Sequence, residues 1–134
     1  MMTSADEADI ESVIRSWERA IQSGDMDGIL ANHSESVLMF DVPEPLQSEG
    51  LDAYRKTWEL FFRYGAPDRE VFVLEDLRIT TGDNVAFATA LLRIGGSSEP
   101  VCRLTLGLTK RNGAWRIVHE HHSAPHKLNG EVTQ

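Results

Sequence analysis

The stretch VCRLTLGLTKRNGAWRIVHEHHS, residues 101–123, decides the fold. Its two halves alternate or run apolar and meet at Asn112-Gly113, the strongest short-range signal for a tight hairpin turn. A two-residue turn sets Arg111 opposite Ala114, and counting back places Arg103 opposite His122, Thr105 opposite Glu120 and Gly107 opposite Val118. The expected strands are Val101–Lys110 and Ala114–Ser123, preceded by Glu70–Thr80 and Val85–Ile94, with turns at Thr81-Gly82-Asp83 and Gly95–Ser98. The turn at Gly95–Ser98 is expected to bring Arg93 opposite Arg103. One face of the sheet is then expected to gather Arg93, Arg103, Glu120 and His122. The other carries Leu104, Leu106 and Leu108 against Trp115, Ile117, His119 and His121. A single bulge would exchange parts of these two sets.

Toward the N-terminus the period changes from two to that of a helix. Ser4 and Glu7 have the spacing of a capping box, and Ile10, Val13, Ile14, Trp17 and Ile21 follow as one apolar stripe. Gly24 stops that helix, and Asp25 caps a short second one reaching Asn32. A third helix is expected over Leu51–Tyr64, with Leu51, Tyr54, Trp58 and Phe61 on one face. Between them Ser36–Val42 reads as a strand that ends at the breakers Pro43 and Pro45. Helices followed by antiparallel strands predict an α+β fold, three N-terminal helices packed on a curved, mainly antiparallel sheet.

The chain has 134 residues, 41% of them hydrophobic, which fits one domain over 1–134 with a core at 4–126 and a loose tail at 127–134. Thirteen Lys and Arg against 21 Asp and Glu leave a formal charge of −8, the wrong sign for gripping nucleic acid or an anionic membrane surface. No apolar run approaches the roughly 20 residues of a membrane-spanning helix. The acidic N-terminus (Asp6, Glu7, Asp9, Glu11) lacks the pattern of a signal peptide, and Cys102 is alone, so a reduced, cytoplasmic protein is expected.

The two arginines facing one another across a hairpin would repel unless an anion or carboxylate lay between them. Either their tips reach solvent, with Glu120 neutralising one, or Arg93, Arg103 and His122 form a pocket for a carboxylate-like anion. His119, His121 and His122 invite a metal reading, but on a strand His122 points away from the other two, and zinc needs further ligands that spacing does not supply. No metal or cofactor is therefore expected, and His119 and His121 are assigned a core or interface role. Asp41 shares a face with Val37 and Met39 at the end of its strand. It either hydrogen-bonds the turn at Val42–Pro45 or faces an apolar recess as a general base. Trp17, Tyr54 and Trp58 are candidate ligand contacts, with plain core as the alternative for the tryptophans.

From about Asp9 to His126 the order of these features resembles the nuclear transport factor 2-like superfamily, of the SnoaL-like type: a helix, SGDMDGIL, a strand ending in Asp41, SEGLDAYRKTW, then four long strands. The resemblance implies a cone-shaped α+β barrel. The closing WRIVHEHHSAP is similar to the last strand of the calcium/calmodulin-dependent kinase II association domain, which implies a basic recess at His122 and Arg93 and oligomerisation through the outer sheet face. The Leu104, Leu106, Leu108 and Ile117 set is expected to supply that face in a homodimer. The ketosteroid isomerase branch implies a proton-shuttling aspartate at Asp41, an oxyanion tyrosine at the position of Trp17 and a second acid at Gly107. Both oxyanion donors are replaced, and each is typically worth about 10²–10³ in rate, so steroid isomerisation is not expected.

Two functions follow. The first is binding of a small, anionic or carboxylate-bearing molecule, with Trp17, Tyr54, Trp58, Arg93, Arg103 and Glu120 as contacts. The second is a cofactor-free isomerase, dehydratase or cyclase, with Asp41 as general base and His122 in proton transfer.

Overall fold

Ser4 opens the first helix by accepting a hydrogen bond from the Glu7 amide at 3.0 Å, in a computed structural model that describes residues 4–128. Most of the expected tail at 127–134 lies outside the described residues. Helix α1 (Ala5–Ser23) buries Ile10, Ile14, Trp17 and Ile21 and ends at Gly24, whose left-handed φ of 71° suits glycine. Helix α2 (Met26–Leu30) is capped by the Asp25 carboxylate, which accepts from the Gly28 amide at 3.2 Å. Then come β1 (His33–Phe40), the two-residue β2 (Ser48–Glu49), α3 (Leu51–Tyr64), β3 (Phe72–Thr81), β4 (Val85–Ile94), β5 (Cys102–Arg111) and β6 (Ala114–Ser123). The strand expected at Ser36 starts three residues earlier, at His33, and β2 has no counterpart in the sequence reading.

The six strands form one sheet in the order β2-β1-β6-β5-β4-β3, antiparallel except where β1 runs parallel to β6. Helix α1 packs on β3 and β6, and α3 on β1 and β2, so the helices cover one face of the curved sheet. This is the expected α+β fold. Among the described residues no helix is long and apolar enough to cross a membrane.

Three register shifts shape the sheet and correct its predicted faces, the first between His33 and Leu38 in β1. In β3 the register shifts between Glu75 and Arg78, with Asp76 at a φ of 55°. In β6, Leu108 pairs with Ile117 but Gly107 pairs with His119, which leaves Val118 as the extra residue. A bulge bends its strand and moves everything beyond it by one position. The predicted register therefore holds from Arg111–Ala114 to Leu108–Ile117 and fails after it: Leu104, not Arg103, lies opposite His122. Glu120 and His122 join Leu104, Leu106, Leu108 and Ile117 on the concave side, while Arg103 faces outward and meets the Ser123 hydroxyl at 3.2 Å.

The predicted facing of Arg93 and Arg103 also fails. Leu91 pairs with Arg103 and Leu92 with Cys102, so Arg93 lies beyond the ladder with β5. The expected leucine-rich outer face is likewise corrected: Leu104, Leu106, Leu108 and Ile117 are all buried in the core.

Candidate functional site

Glu120 is the centre of a polar cluster inside the cone, with no solvent exposure. Its Oε2 accepts from the Tyr54 hydroxyl at 2.5 Å and lies 2.6 Å from His33 Nε2, and its Oε1 lies 2.9 Å from His122 Nε2. Trp17 Nε1 donates to the Tyr54 oxygen at 3.0 Å. Each partner comes from a different element: Trp17 from α1, His33 from β1, Tyr54 from α3, Glu120 and His122 from β6. The Val118 bulge turns Glu120 inward, and the parallel β1–β6 pairing carries His33 to it.

Burial alone would raise the Glu120 carboxyl, but the hydrogen bonds and charges of His122 and His33 outweigh it and hold the group at about 2. Tyr54 goes the other way. Burial and the neighbouring Glu120 charge push its hydroxyl well above the usual phenol value, so it stays a donor, although the Trp58 and Trp17 indoles favour the ionised form. Both His33 nitrogens face acceptors, Nε2 the Glu120 carboxylate and Nδ1 the Ala31 carbonyl at 3.0 Å. His122 gives Nε2 to Glu120 and keeps Nδ1 without a protein partner among the described residues.

That free nitrogen belongs to the side chain that lines a cavity of about 330 Å³ between α3 and the sheet. Trp58, Phe61, Phe72, Leu92 and Met39 make its walls apolar, and Asp41, Thr57 and Cys102 add polar atoms. Trp58 Nε1 is a buried donor without a hydrogen-bond partner among the described residues. Burial and the nearby Asp41 charge push the Cys102 thiol up, which keeps it a neutral wall rather than a thiolate.

A family model described as the SnoaL-like domain matches residues 10–127. The chain belongs to the SnoaL-like family. Among solved structures it is similar to a nuclear transport factor 2-like protein of unknown function from Pseudomonas putida KT2440, at 30% identity over 100% of this chain and 95% of that one, with a TM-score of 0.83. A provisionally assigned ketosteroid isomerase from Parabacteroides distasonis ATCC 8503 has 20% identity, coverage of 96% and 98%, and a TM-score of 0.69. A provisionally assigned dehydratase of the nuclear transport factor 2-like family from Streptomyces avermitilis has 14% identity, coverage of 91% and 97%, and a TM-score of 0.73. These last two show the fold alone. No protein of curated function matches the sequence.

The candidate residues of this SnoaL-like domain separate into three groups. His122, Trp58 and Asp41 line the cavity, and Asp41 also makes the turn contact that was its alternative, accepting from the Val42 amide at 2.8 Å. Glu120, Tyr54 and Trp17 stand behind His122 as a buried network rather than as cavity wall. Arg93 and Arg103 are not in the site. Arg93 is held at 2.6 and 2.7 Å by Glu70 and Glu75 on the convex side, where its partners hold the guanidinium above its usual value.

Gly107, at the position implied for a second acid, lies on the strand face opposite Leu106 and Leu108. His119 sits outside, its Nδ1 2.7 Å from the Leu38 carbonyl and its ring edge-on to Phe40. The sequence reading missed His33 and the wall residue Phe72. His33 is 87 residues from Glu120, and no local pattern announces that pairing.

Proposed function

We propose that this domain binds a small, largely apolar molecule in the cone, with a hydrogen-bond donor of that molecule on His122 Nδ1. One observation carries this: an apolar cavity whose polar floor is an imidazole fixed through its other nitrogen by a buried carboxylate. Such a histidine presents a lone pair in a set direction at no cost of reordering on binding. The carboxylate ligand expected from the sequence depended on Arg93 and Arg103. With both outside, no arginine lines the cavity among the described residues, and Asp41 at its mouth disfavours an anion. Calorimetric titration with 2-naphthol tests this. Binding by the wild type that falls at least about tenfold in His122→Phe supports the reading, and equal binding by both proteins contradicts it.

The same dyad favours a second reading, proton-transfer catalysis. His122 would take a proton from substrate while the Glu120 charge stabilises the imidazolium that forms. Asp41 is the other base candidate at the mouth. Exchange of solvent deuterium into the acidic C–H of 2-tetralone, faster with wild type than with His122→Gln or Asp41→Asn, would assign the base. Exchange no faster than in buffer would leave binding as the function.

We also propose that a second copy covers the convex face of the sheet. The residues now available are Val85, Phe87 and Leu91 on the outer side of β4, with Val101 beside them, all exposed. A dimer in sedimentation at micromolar concentration that dissociates in Phe87→Glu supports this, and a wild-type monomer contradicts it.

A further inference from the structure

We propose that a hollow beside the cavity mouth is a second subsite, which takes a neutral, hydroxylated arm of the ligand whose apolar body fills the cavity. This rests on the reading of the cavity given above. The two concavities share Asp41, Thr57 and Leu60, so one molecule can span both. The second measures about 180 Å³ and differs in kind. Where the cavity is hydrocarbon and aromatic, the hollow presents the carboxylates of Asp41 and Glu44, the ammonium of Lys56 and the hydroxyl of Ser48.

Ser48 pairs with Met39 across β1 and β2, and the two side chains therefore share the concave face. It is only 7% exposed, and its hydroxyl makes no hydrogen bond among the described residues. The hydroxyl still reaches solvent in the hollow, where it is free to pair with a ligand group. The neighbouring charges are also uncommitted. Asp41 uses one oxygen on the Val42 amide at 2.8 Å, and Glu44 forms no ion pair among the described residues. Lys56 has a loose, solvent-exposed contact with Asp52 at 3.7 Å.

This mixture of signs selects by charge. A carboxylate arm would meet Asp41 and Glu44, and an ammonium arm would have to share those carboxylates with Lys56. A hydroxyl both donates and accepts, so adjacent hydroxyls can give hydrogen bonds to the carboxylates and receive them from Lys56 and Ser48. The ligand class is thus an aromatic or alicyclic body carrying a short polyol or sugar-like arm.

Four phenyl ethers with one body and different arms test it by calorimetry on the full chain: 3-phenoxypropane-1,2-diol, phenyl propyl ether, 3-phenoxypropylamine and 3-phenoxypropanoate. The diol is expected to bind at least about tenfold tighter than the propyl ether and tighter than either charged arm. Glu44→Ala and Lys56→Ala, both at exposed positions, should each weaken the diol by at least about threefold and leave the propyl ether unchanged. A diol no tighter than a propyl ether that does bind overturns the subsite alone, as does preference for a charged arm. Failure of all four overturns the cavity reading and the subsite with it.

Discussion

Replacing Glu120 with Gln keeps the side-chain volume and removes the charge on which three donors converge. The carboxyl is held at about 2 against an ordinary 4.5, and at about 1.4 kcal/mol per unit that difference of about 2.5 units corresponds to roughly 3 kcal/mol of stability at pH 7. Breaking a buried pair from one side gives a similar figure, about 3–5 kcal/mol, because His33, His122 and Tyr54 lose the charge they face and the new amide N–H₂ faces a donor. The pH dependence has a definite sign. A depressed carboxyl stabilises the folded chain fully above its unfolded value of 4.5, and the contribution is lost as pH falls toward about 2. Roughly 2 of the 3 kcal/mol should be gone by pH 3. Urea denaturation followed by tryptophan fluorescence at pH 7 and pH 3 measures the gap between wild type and Glu120→Gln at each. A gap of about 3 kcal/mol at pH 7 that shrinks toward 1 at pH 3 is expected. A gap below about 1 kcal/mol at pH 7, or one equal at both pH values, would refute the buried ion cluster.

Tyr54→Phe should cost about 2–4 kcal/mol in the same assay, since it removes a donor to Glu120 and strands the Trp17 indole N–H; a loss under 1 would mean the network is not formed in solution. Gly24→Ala should cost about 1–3 kcal/mol, because the left-handed φ of 71° strains any side chain and the new Cβ would lie 2.7 Å from the Pro67 ring; unchanged thermal stability would contradict that geometry. Arg93→Ala should leave 2-naphthol affinity within about twofold of wild type, since its guanidinium is held by Glu70 and Glu75 outside the cone; a larger loss would return it to the site.

Helix and strand positions were legible because local signals set them. Ser4, Gly24 and Asp25 mark helix ends at the residues where the chain turns, and the apolar stripe of α1 is the one that is buried. Glu120 and His122 were recognised as a pair on one strand face, which their spacing of two guarantees whatever the register. Which face they shared was not legible. One extra residue at Val118 reverses the partition, and Gly107 opposite it gives no signal strong enough to predict the bulge. The arginine clamp and the leucine-rich outer surface both failed for that reason. His33 was hidden differently: its role depends on the parallel contact of β1 with β6, which sequence period cannot encode. β2 is too short to carry a pattern of its own.

The most direct measurement is a crystal structure of the protein with 2-naphthol bound. The hydroxyl should lie within about 3 Å of His122 Nδ1, with the rings between Trp58, Phe61 and Phe72 and Glu120 still on His122 Nε2. A probe seated elsewhere, or a His122 ring turned away from Glu120, would contradict the assignment of this cavity and this histidine as the site.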